Sequence, residues 1–274
     1  LIFEGAPRSI RIALSPVVEG KAMSPQSSPL LKALPRAVSL PLLFLFVACP
    51  VALAHTSLET TTLAEGQRVV NNVQIGHACG AGTSVIGSSV VFPDGVDSTI
   101  IAGGIAHDGP LSDFITNWGP NIQPLVNRAV FNNVDEKQGP GGNVVGFWAG
   151  GGPGIPDHMV GYVPFRVNAT NINPQSCAVA VRFLVNIVDV CTITPAAQLH
   201  DPGVAEFWTH SDLGTAYDSA SGDNAARLTI TRNLDDNPLP ASCGAGYTVD
   251  VKSSKEQIER DMPIRVQGVQ VWPK

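Results

Sequence analysis

Long apolar runs, basic charge and helix-forming periodicity are all scarce in this chain. The stretch AVSLPLLFLFVA at 37–48 is apolar. It falls short of the roughly 20 residues that a membrane-spanning helix needs. Seventeen Lys and Arg stand against 23 Asp and Glu, a net charge of −6. Such a balance argues against nucleic acid and against an anionic membrane face as partners. Only three methionines occur, so a thioether-rich site for soft metals is poorly supplied. Cysteines are never spaced C-x-x-C, which excludes the common zinc motifs. There is no G-x-S-x-G, so no hydrolase nucleophile stands out. The glycine clusters lack the Lys-Ser/Thr of a phosphate loop.

What is present begins with a targeting pattern. Met23 is the first methionine, and residues 1–22 read as lying upstream of the true start. Lys32 and Arg36 precede the apolar core, and Ala52 and Ala54 stand at the A-x-A spacing that signal peptidase reads. Cleavage after Ala54 is expected, giving an exported chain, periplasmic or extracellular, without stable membrane insertion. A minor alternative is lipidation at Cys49 in FVAC. Beyond residue 54, loss of Arg8, Arg11, Lys21, Lys32 and Arg36 leaves 12 basic residues. Loss of Glu4 and Glu19 leaves 21 acidic ones, a balance of −9.

Cys79, Cys177, Cys191 and Cys243 remain, an even number that suggests two disulfides in one of three connectivities. Strand-like runs rich in Val, Ile, Thr and aromatics recur at 67–75, 83–92, 158–170, 177–191, 205–209, 226–233, 247–252 and 264–272. Turn clusters such as FPDG, GDN and DDNPLP separate them. The pattern predicts an all-β fold, an immunoglobulin-like antiparallel β-sandwich with long Gly/Pro-rich loops. The stretch 136–158, EKQGPGGNVVGFWAGGGPGIPDH, reads as one such surface loop, its Phe147 and Trp148 either pinning it in a core pocket or standing exposed at a binding face. A short helix is expected within 252–262.

A chain that begins at His55 offers two nitrogens from one residue, the α-amine and ring Nδ1. Together they close a chelate ring, and nitrogen donors of this kind favour copper(II). The free α-amine loses its proton readily when metal binds. A further histidine would complete a histidine brace.

Four segments in sequence strengthen this reading: AHTSLET, LAEGQ, VQIGHACGAGTS and VVFPDG. They resemble the YcnI-like family of exported copper-binding proteins. In that family an N-terminal His leads a short strand, an Ala-x-Gly turn, a strand ending in a GHGC-x-G type motif, and a strand ending in Pro-Glu/Asp-Gly. The resemblance is clear over 55–95 and partial over 160–210, where RFLVNIVDVCTI and VAEFWTH look like its late strands. Residues 96–157 and 211–274 are not covered, and read as an insertion and a C-terminal extension of one domain spanning 55–274.

The resemblance implies copper(II) held by the His55 amine and imidazole in a β-sandwich, with Trp208 near the metal. Glu59 and Glu206 are implied as secondary acidic candidates. It also implies that Cys79 pairs with Cys191, and Cys177 with Cys243. Partners would be the copper ion and other copper-handling membrane or periplasmic proteins.

Further ligands are sought among the histidines. His77 ends a strand just before Cys79, whose disulfide would fix its backbone. His210 follows Trp208 by two, which in a strand puts both side chains on one face. His107 and His158 neighbour Asp108 and Asp157, which could orient their rings. His200 in LHDPG reads as a turn residue. A second reading is a histidine-brace monooxygenase acting on polysaccharide, which would need a second brace histidine and an open aromatic face. A third is a β-sandwich binding or structural module in which His55 is incidental.

Overall fold

A computed structural model describes residues 55–274. The targeting segment, its cleavage point after Ala54 and Cys49 all lie outside the described residues. The strands, in chain order, are β1 (Ser57–Leu58), β2 (Thr62–Ala64), β3 (Arg68–Ile75), β4 (Ser84–Val91), β5 (Thr99–Ala102), β6 (Ile105–His107), β7 (Asn121–Pro124) and β8 (Asn133–Gln138). They continue with β9 (Val144–Pro156), β10 (Gly161–Asn168), β11 (Ala178–Val190), β12 (Ala205–Trp208), β13 (Ala226–Thr231), β14 (Tyr247–Lys252), β15 (Ile264–Val266) and β16 (Val269–Trp272). One α-helix, α1 (Lys255–Asp261), falls inside the expected stretch. The Ser254 side chain caps it, accepting from the Gln257 N–H, as N-cap serines do.

The fold is all-β and sandwich-like. A smaller sheet runs β1-β3-β10-β7, antiparallel throughout. A larger one runs β6-β5-β14-β11-β4-β9-β8, with β12 and β13 also on β11 and β2 on β13. Alternation decides the faces: in β10, Gly161, Val163, Phe165 and Val167 are buried while the residues between them are not. Phe165 meets Phe92 and Phe147 at centroid distances of 5.8 and 5.4 Å. These rings belong to the main core cluster.

The spine of the larger sheet is β11, 13 residues long. Its first half pairs with β13 and β14, its second with β4 and β12. From Val185 onward every β11 residue but one is fully shielded, because a second apolar cluster covers its other face. Trp148, Val188, Val190, Ile258, Met262 and Trp272 make that cluster. A strand covered on both faces loses its polar alternation.

Three expectations need correction. The stretch 136–158 is not a long surface loop. Most of it forms the end of β8 and the whole of β9, whose two neighbours are β4 and β8. Glycine is unfavourable in a strand unless another backbone comes close. A Cβ on Gly146 would lie 2.1 Å from the Val90 carbonyl oxygen, so here the glycine permits the approach. Successive side chains on β9 point to opposite faces, so Phe147 enters the main core and Trp148 the second cluster. The sheets are also not wholly antiparallel: β11 pairs β14, and β13 pairs β2, in parallel. Each of these pairs is joined by a long connection, as parallel pairing requires. Finally, 264–272 is a hairpin, β15–β16, instead of one strand. Gln267 and Gly268 take φ of +50° and +80°, as a two-residue hairpin loop with both central residues left-handed demands.

The regions 96–157 and 211–274 do not stand apart. They supply β5 to β9 and β13 to β16, most of which join the two sheets.

Candidate functional site

Register brings the two leading histidines to one end of the smaller sheet. β1 and β3 are antiparallel, with Ser57 opposite Gln74. His55 precedes β1 by two residues and His77 follows β3 by two, so both leave the pair at the same end. The Cys79–Cys191 disulfide ties that end to the end of β11. Cys177 bonds to Cys243. Two bridges fit an oxidising compartment.

β12 runs against β11 there, with Asp189 opposite Glu206 and Ile187 opposite Trp208. The Trp208 indole is buried, and it is where the two histidines meet. The His55 ring lies 5.0 Å from it by centroids and tilted by 58°. The His77 ring lies 5.7 Å from it, edge-on at 73°. His77 Nδ1 stands 2.7 Å from the Ala78 carbonyl oxygen. A carbonyl can only accept, so Nδ1 donates to it, and in the neutral ring the lone pair is then on Nε2. A backbone carbonyl orienting the ring in this way is usual for metal-binding histidines.

Beneath the indole sits Asp189, fully buried. One of its oxygens, Oδ2, accepts from Trp208 Nε1 at 3.1 Å and from Thr56 Oγ1 at 2.6 Å. This single oxygen links the start of β1, β11 and β12, and so sets where the residue after His55 and the indole sit. Oδ1 is buried without a hydrogen-bond partner. Burial pushes the carboxyl up to about 6, and Thr56, Ser88, Trp208 and the charge of His77 pull against that shift. Glu206 is half-buried and raised by burial, with His77 opposing.

The remaining candidates fall elsewhere. Glu59 is exposed and accepts from Asn72 Nδ2 at 2.6 Å. His210 does not sit beside the indole: β12 ends at Trp208, and the two-residue rule ends with it. Its ring is fully buried, with Nδ1 3.2 Å from Asp223 Oδ1. Burial lowers its pKa, and Asp223 opposes. His107 bonds Asp113 at 2.8 Å, not its neighbour Asp108, and its ring packs on Phe114. His158 does bond Asp157, at 3.2 Å, but its side chain is 76% exposed. His200 stacks on Phe207 and bonds the Ala216 carbonyl.

Among the described residues, no group of three or more His, Cys, Asp and Glu side chains lies close enough to hold a metal. The cluster therefore offers two imidazoles from side chains, and a third nitrogen only where the chain begins at His55. Asp189 is the residue that sequence reasoning missed. Its signal was a lone charge inside the largely apolar run FLVNIVDV. Neither the protein-family models nor the curated proteins give any match to this chain.

Proposed function

We propose that this is an exported copper(II)-binding protein that serves copper handling, as the YcnI-like resemblance implies. The metal is held by the amine and imidazole of His55, with Nε2 of His77 as the third nitrogen. The observation that carries the reading is the packing of both rings against one buried indole. Three nitrogens of this type suit copper(II), and with Nδ1 turned to the Ala78 carbonyl the neutral His77 ring has its lone pair on Nε2. Glu206 supplies negative charge nearby, which favours a divalent cation. Asp189 holds Trp208 and Thr56 in place and so keeps the two rings in register. The protein would receive or pass on copper through other copper-handling proteins of the membrane or periplasm.

The test uses protein that begins at His55, loaded with one equivalent of copper(II), and its electron paramagnetic resonance spectrum. The expected spectrum shows nitrogen hyperfine structure, and both a one-residue extension before His55 and His77→Ala alter it. Identical spectra for the extended and unextended chains would refute the brace.

A further inference from the structure

The segment that joins β12 to β13, residues 209–225, lies over the second apolar cluster. Tyr217 enters that cluster with 6% exposure, its ring 5.9 Å from Trp272, and Leu213 packs against it. The segment closes on its own first two residues. Ser219 N–H donates to the His210 carbonyl at 2.8 Å, and Asn224 N–H to the Thr209 carbonyl at 3.0 Å. Thr209 Oγ1 donates to the Tyr217 carbonyl at 2.6 Å. The Asn186 side chain accepts from the His210 N–H at 3.1 Å. Each of these bonds starts or ends at Thr209 or His210.

The His210 ring is fully buried at that junction. Its Nδ1 faces Asp223 Oδ1 at 3.2 Å. A carboxylate can only accept, so Nδ1 donates, and in the neutral ring the lone pair is on Nε2. Nε2 is buried without a hydrogen-bond partner. A second proton would turn it into a charged donor with nothing to receive it, and burying such a group is costly. The charged groups that face the ring are Asp223, Lys252 and Asp212. Lys252 Nζ lies 3.3 Å from Asp212 and 3.7 Å from Asp223, so their negative charge is already shared. The Asp212 and Asp223 side chains are 65% and 46% exposed, so water screens them. Burial outweighs both carboxylates and lowers the ring's pKa from 6.5, with Lys252 assisting. His200 also touches the segment, at the Ala216 carbonyl, but there it is exposed and a protonated ring still donates.

We propose that His210 is an acid latch: when its ring gains a proton, the 209–225 segment opens and bares Tyr217, Leu213 and the apolar cluster beneath them. In the open segment the imidazole is solvated and titrates near its ordinary 6.5. The closed segment takes that proton only at a lower pH. Closure is therefore unaffected above 6.5 and weakens as the pH falls below it, down to the closed-state value. The latch needs no metal and does not rest on the copper reading.

The test is amide hydrogen exchange of the protein without added metal, from about pH 7.5 to about pH 5, corrected for the intrinsic rate at each pH. The Ser219 and Asn224 amides report closure of the segment, and the β10 amides report the intact sandwich. Protection at Ser219 and Asn224 should hold steady above 6.5 and fall below it by up to about tenfold per pH unit, the limit for one proton. β10 should stay protected throughout. His210→Asn keeps a donor for Asp223 and cannot titrate, so its protection should be level across the range. Asp223→Asn removes an opposing charge and should deepen the fall. The proposal is overturned by level protection in the unaltered protein, by an equal fall in His210→Asn, or by a parallel fall at β10. If His210→Asn fails to fold, the ring's own titration by nuclear magnetic resonance decides: a midpoint at or above 6.5 in the closed protein overturns the latch.

Discussion

Lys137 should make this protein more stable as the solution turns mildly alkaline, which is opposite to the usual expectation for a surface lysine. It sits on β8 with 8% exposure. Its Nζ donates to Ser89 Oγ at 2.6 Å and to the carbonyl oxygens of Asp261, Met262 and Pro263. The first two carbonyls belong to the last residue and the C-cap of α1, where a helix leaves carbonyls unpaired, so the amine helps to close the helix C-terminus. Burial nevertheless drives its pKa down from 10.5 to about 7, with Asp261 opposing and Arg265 assisting.

Between pH 7 and 10.5 the unfolded chain therefore keeps a proton that the folded chain has released, and stability rises with pH in that window. The effect is absent below 7, where both states are protonated. From pH 7 to pH 9 the gain is about 2 kcal/mol, since each pKa unit corresponds to about 1.4 kcal/mol. Tyr217, raised to about 12 chiefly by burial, acts in the opposite direction, but only above about pH 10. Urea unfolding at pH 7, 8 and 9, followed by tryptophan fluorescence, measures the slope against that of Lys137→Met. The variant orphans several carbonyls, so its absolute stability is not the readout. The difference in slope is. Parallel pH profiles for the two proteins would show that Lys137 keeps its proton when folded, and the reasoning would fall.

Replacing Cys79 and Cys191 together by serine opens a bridge spanning 112 residues. The loss should lie in the range of about 2–5 kcal/mol in denaturant unfolding, and it should disturb the His77 segment more than the Cys177–Cys243 end. Gly146→Ala should unfold the β4–β9 pairing locally or lower stability by more than about 2 kcal/mol, because its Cβ would meet the Val90 carbonyl oxygen at 2.1 Å. Hydrogen exchange of the β9 amides distinguishes local from global loss.

Most of the strands were legible because period-two alternation survives wherever one face meets solvent or a partly exposed surface, as in β10 and β13. β9 was not. Its sequence VVGFWAGGGPGIP has the composition of a loop, and only the proximity of β4 explains why glycine is the residue that fits. The parallel pairing of β11 with β14 was equally hidden, since strand runs in a sequence carry no mark of direction. The hairpin at 264–272 did carry a mark, Gln267-Gly268, but its apolar residues continue across the turn and imitate one strand.

The histidines show why a site is harder to read than a strand. Six of them lie beyond residue 54, and each is defined by what its other nitrogen or its ring touches. Asp113, Asp157, Asp223 and the Ala216 carbonyl claim His107, His158, His210 and His200. None of those pairings follows from spacing except that of His158 with its neighbour. His55 and His77 differ because a third residue, Trp208, brings them together from separate strands. What fixes Trp208 is in turn Asp189, a carboxylate in a strand segment where nearly everything else is apolar. Holding a carboxylate there has a desolvation cost, visible in its raised pKa. At such a position geometry outranks stability, and in the proposed site that geometry is the placing of Trp208 and Thr56. In this chain it lies two residues before Cys191 and opposite Glu206. The lone Asp of VNIVDVC was thus the strongest local sign of where His55, His77 and Trp208 come together, stronger than most of the histidines themselves.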